Sequence, residues 1–135
     1  MIHRVLNIGR WVVDFIFAEE RYDAEGVLAC LRAIDAPREV LDRAGKIMEE
    51  SEYNCGFTFS NADMKRAVSV VGPTSSGKQF VNTFVHEVRH VADAIAKNIG
   101  YDLDGEYPAY LSGDSAMALA EVVCALGCDH CRRVK

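Results

Sequence analysis

Two of the chain's four histidines, His86 and His90, stand four residues apart in a stretch whose other positions follow the spacing of an amphipathic helix. Val81, Phe84, Val85, Val88, Val91, Ala92 and Ile95 recur at three- and four-residue intervals, and this arc is expected to pack into a core. At 3.6 residues per turn, His86 and His90 lie about 40° apart on the opposite face, so both imidazoles can reach one ion. Glu87, offset to the side, completes His-Glu-x-x-His, in which two imidazoles hold a metal and the carboxylate acts as a base on a metal-activated water. Any fold for this chain must therefore seat one side of the helix and leave the other open.

The remaining composition narrows the setting. A chain of 135 residues, half of them apolar, is one domain over 1–135, large enough to bury a core without a structural metal. A net charge of −5 argues against a nucleic-acid partner, since the only basic cluster is the short tail Arg132-Arg133-Val134-Lys135. Trp11 to Ala18 is interrupted by Asp14 and too short to span a bilayer, so no membrane partner is expected. Five cysteines without a secretory signal suggest reduced thiols and a cytoplasmic location.

The pattern predicts a strand over Val5 to Phe17, and helices over Ala24 to Ile34, capped by Asp23, and from Pro37 to about Glu50. Alternation of Cys55, Phe57 and Phe59, a turn over Ser60 to Asp63, and an extended Lys65 to Val71 predict a hairpin. The histidine helix is expected over about Lys78 to Asn98, capped by Ser75 or Ser76 and ended by Gly100, with one further helix from about Asp104 to Leu126. This is an α+β arrangement: a small mixed sheet, a metal-binding helix and a following helix.

Over about Lys65 to Leu126 that order resembles the zincin metallopeptidases. More narrowly, Gly105-Glu106-Tyr107-Pro108-Ala109-Tyr110-Leu111-Ser112-Gly113 resembles the Glu-x-x-Ala-Tyr stretch that follows the metal helix in small zincin-like proteins of bacteria and their phages. The resemblance implies a zincin-like fold, one zinc ion, a peptide or protein substrate, and a third ligand from the second helix, here Glu106. The branch that requires Gly-x-x-His after the second histidine does not fit, because none follows His90. Residue chemistry alone also asks for a third donor, since a catalytic zinc takes three protein ligands and keeps one position open. Glu106 can return across the intervening loop, whereas a plain antiparallel helical hairpin would place Asp114 nearer His90. Glu121 is a further competitor, and an acid in a first helical turn is also favoured by the helix dipole alone.

For the accompanying chemistry, Tyr110 and His130 are the candidate oxyanion donors, with Tyr110 one turn beyond Glu106. Asp93 is positioned to accept the second ring N–H of His90. By the same resemblance, Arg66 to Val71, the strand before the metal helix, would hold an extended peptide by edge pairing.

Two other clusters offer competing functions. Gly72-Pro73-Thr74-Ser75-Ser76-Gly77-Lys78 matches the first seven positions of a phosphate-binding P-loop, but Gln79 stands where a magnesium-binding hydroxyl belongs. Cys124, Cys128, His130 and Cys131 could supply a structural zinc site, though they crowd into eight residues; Cys124, Cys30 and Cys55 read as small core residues. The reading best supported is a zinc-dependent hydrolase, with a non-catalytic zincin-fold binding or structural protein of a mobile element, and nucleotide binding through Gly72 to Lys78, as alternatives.

Overall fold

The computed structural model of the chain describes residues 1–50 and 52–133; Val134 and Lys135 of the basic tail lie outside them. The first extended segment is two strands, β1 (Ile2–Ile8) and β2 (Trp11–Phe17), rather than one strand over Val5 to Phe17. Gly9 turns the chain at φ +61°, which lets Ile8 and Trp11 pair across a two-residue loop. After α1 (Ala24–Ala33) and α2 (Arg38–Glu50), a second hairpin forms from β3 (Gly56–Asn61) and β4 (Arg66–Val71). The sheet order is β1-β2-β4-β3, with β2 and β4 parallel and both outer pairs antiparallel. Arg66 to Val71 is thus an inner strand, and β3 is the edge on that side.

Helices cover both faces, which explains why β2 is buried along almost its whole length. On one face Ile16, Val68 and Val70 meet Val27, Leu31 and Ile34 of the α1 segment and Ala44 and Met48 of α2. On the other, Trp11, Val13, Phe15 and Phe17 pack beneath α3 (Gly77–Ile99), whose Phe80, Phe84, Val88, Val91, Ala92 and Ile95 form the buried stripe. Val81 and Val85, also expected in that stripe, stay 40% and 58% exposed. Ser76 caps α3 by accepting from the Gln79 amide, and Gly100, at φ +96°, ends it in the left-handed conformation.

The expected last helix is broken. α4 (Glu106–Ala118) and α5 (Ala120–Gly127) meet at a 73° bend, and a short α6 (Asp129–Arg133) follows. Leu119, 1% exposed, is drawn into the core at the break, so α5 can turn Val122 and Leu126 onto the same cluster. Among the described residues no single helix is long and apolar enough to cross a membrane.

Tyr22 approaches the end of β4 over Gly72, where a Cβ would overlap the tyrosine hydroxyl. That hydroxyl is buried with no hydrogen-bond partner among the described residues. Burial first, then the charges of Cys55 and Glu87, pushes the phenol up to about 12 from 10.0. Below the lower value Tyr22 is neutral in both states. Between the two values the unfolded chain ionises it while the folded chain does not, so folding stability falls as pH rises through this window. Tyr22→Phe should remove that loss without lowering stability at neutral pH, since it deletes an unpartnered buried group. Urea denaturation of both proteins across the alkaline range reads the effect.

Candidate metal centre on α3

The helix carries the three motif residues in two directions. His86 and His90 are exposed, whereas Glu87, roughly 100° further round the helix, is buried at 3% exposure against the sheet. The two imidazoles converge: their Nε2 atoms are 3.1 Å apart, with the rings edge to face. Two nitrogen ligands bound at about 2.0–2.1 Å to a tetrahedral zinc would lie roughly 3.3 Å apart, so the pair has the separation of two adjacent ligands.

Glu87 is held by the sheet. Thr58 of β3 donates to its Oε1 at 2.8 Å, and the Thr58 hydroxyl also shares a hydrogen bond with Ser69 of β4 at 2.9 Å. The absence of a side chain at Gly56 makes this possible: a Cβ there would come within 2.9 Å of Glu87 Cγ and 2.6 Å of the Val70 carbonyl oxygen. No cation pairs with Glu87 among the described residues. Asn54, Cys55, Gly56, Asn82, Thr83, His86 and Glu87 together line a cavity of about 290 Å³ beside the start of β3.

The other expected site residues stand elsewhere. No third His, Cys, Asp or Glu donor lies within 4.8 Å of both imidazole nitrogens among the described residues. Glu106 is exposed in the first turn of α4. Tyr110, one turn later, is 66% exposed. Asp114 lines a different cavity with Leu6, Asn7, Ile8 and Gly9, and Glu121 accepts from Arg4 Nε at 2.9 Å. The reason is α4's position: it buries Pro108, Leu111 and Ser115, and its Ala109, Ser112, Gly113 and Ala116 line one cavity with Phe84, Val85, Val88 and Arg89, on a side of α3 turned away from the histidines. Asp93 does not orient His90; it accepts from Arg89 Nε at 2.7 Å, while Arg89 also reaches the Leu103 carbonyl.

The competing clusters resolve differently. In the P-loop-like turn, the Gly77 amide donates to Asp129 at 2.7 Å, and Arg132 donates to the Thr74 hydroxyl and carbonyl. The Gly127 carbonyl packs against Gly77 where a Cβ would otherwise lie. Residues of α5 and α6 thus pack against the start of α3 and the turn before it. Cys124 and Cys128 are exposed, not core, and Cys30 and Cys55 are half-buried. Hydrogen bonds from Cys131 and the backbone hold the Cys128 thiol below its usual range and, with Cys128 as partner, push Cys131 up. No three of Cys124, Cys128, His130 and Cys131 bring donor atoms within 4.8 Å of one another.

Sequence reading missed Thr58, Ser69 and Gly56. Their signal was present, because Gly56, Thr58 and Ser69 occupy the small or polar positions of two alternating strands. It was masked because such positions ordinarily face solvent, whereas both faces of this sheet are covered. Comparison with known proteins supplies no relative: no family profile, curated protein or solved structure matches the chain.

Proposed function

We propose that the chain is a zinc-dependent hydrolase of the zincin type, acting on peptide or protein substrates. The observation that carries this reading is the convergence of His86 and His90 at 3.1 Å beside a buried, hydroxyl-held Glu87. Zinc bound by these imidazoles would supply a water of lowered pKa and a Lewis acid for a carbonyl oxygen. Glu87 takes the proton from the attacking water and returns it to the leaving amine, and Thr58 fixes the carboxylate oxygen it bonds. The outer edge of β3, next to the cavity, replaces Arg66 to Val71 as the edge on which an extended peptide would pair.

For the third ligand, Glu106 remains the proposal. Asp114 and Glu121 are placed against β1 and its turn, whereas Glu106 is exposed at the end of the loop that follows Gly100. Completion of the site then requires the first turn of α4 to move toward His90, and Tyr110, on the same helix one turn later, is the proposed oxyanion donor carried with it. The separation of Glu106 from the imidazoles is also the observation that favours the second reading, a non-catalytic metal-binding protein of the same fold.

A quenched-fluorescent peptide library tests the first reading. Hydrolysis should stop when a chelator strips the metal and return with added zinc. Chelator-resistant cleavage, or zinc-loaded protein that cleaves nothing, contradicts it.

A further inference from the structure

On the opposite sheet face, three residues of different chemistry meet from three elements: His3 of β1, Asp14 of β2 and Cys30 of α1. Their donor atoms all lie within 4.8 Å of one another. We propose that His3, Asp14 and Cys30 form a second metal site that takes a zinc-class divalent transition ion, independently of the reading of His86 and His90. One imidazole nitrogen, one carboxylate oxygen and one thiolate make a donor set suited to zinc or cobalt, with a fourth position open.

The strand register creates the site. His3 pairs with Ile16 and Asp14 with Val5, so His3 and Asp14 are diagonal neighbours on one face, and Arg66 of β4 approaches from the other side of β2. Asp14 is 7% exposed and uses its two oxygens separately. Oδ1 lies 2.7 Å from His3 Nε2, while Oδ2 accepts from Arg66 at 3.2 Å. The guanidinium thus holds the carboxylate so that its other oxygen faces His3, the arrangement in which a ligating carboxylate is oriented by a partner on its second oxygen. Burial, then Asp14, pushes the Cys30 thiol up. His3 sits on an edge strand with its side chain 34% exposed, leaving an entry path.

Cobalt(II) titration of the full chain carrying His86→Ala and His90→Ala tests the proposal. It should give a saturable thiolate-to-cobalt absorption band with one equivalent. Cys30→Ser should abolish the band, His3→Gln should weaken binding at least about tenfold, and replacing Cys124, Cys128 and Cys131 by Ser should leave it intact. Melting temperatures in chelator, equal for parent and variants, establish that the fold survives; His3→Gln, on the partly exposed edge strand, serves if Cys30→Ser does not fold. A saturable band lost with the terminal cysteines instead of Cys30, or no band at all, overturns the proposal and leaves a hydrogen-bond network only.

Discussion

Glu87→Gln should retain zinc and the fold while lowering peptide hydrolysis by at least about a hundredfold, because it removes proton transfer without removing a ligand. The amide oxygen can still accept from Thr58, so the buried contact with β3 is preserved. Glu87→Ala is a poorer test, since it leaves the Thr58 and Ser69 hydroxyls with a cavity beside them. Parallel measurement of zinc content, urea unfolding and turnover separates the effects. Equal turnover by parent and Glu87→Gln would assign the activity to another site or another protein.

Phe17→Ala should have the largest effect on stability, about 3–5 kcal/mol. Phe17 is fully buried and lies 6.1 Å from both Phe80 and Phe84 and 6.5 Å from Phe15. Its ring joins the end of the inner strand β2 to Phe80 and Phe84 of α3, so truncation opens a cavity directly beneath the helix that carries the histidines. Because the neighbouring side chains are themselves aromatic and locked against one another, the site cannot collapse to fill the space. The midpoint of urea unfolding reads the loss. A change below about 1 kcal/mol would mean that the aromatic cluster does not hold the helix to the sheet.

The local elements were legible where the pattern and the caps agreed. Asp23, Ser76 and Gly100 mark helix ends at the expected places, and the hairpin of β3 and β4 follows its alternation. The breaks were not. A two-residue turn at Gly9 lies within a continuous extended signal, and the bend at Leu119 falls in a run whose composition reads as helix throughout. In the site, helical spacing was sufficient for His86, Glu87 and His90, because their relation is local. The placement of Glu106 depends on which side of α3 the next helix packs, and α4 packs through Pro108, Leu111 and Ser115, the residues it buries. Ala109, Ser112, Gly113 and Ala116 offer an equally apolar or small surface that stays exposed or half-buried, so spacing alone could not choose the packed side. The meeting of His3, Asp14 and Cys30 depends on strand register and on which face α1 covers, neither of which a single chain position displays.

Everything proposed for α3 depends on His86 and His90 holding a metal. Elemental analysis of protein purified without chelator, in the Cys30→Ser background so that the opposite sheet face does not contribute, tests it most directly. About one zinc per chain is expected, with its loss on His86→Ala with His90→Ala, while the exposed positions of both side chains let the fold persist. Zinc retained unchanged by the folded double variant would contradict it.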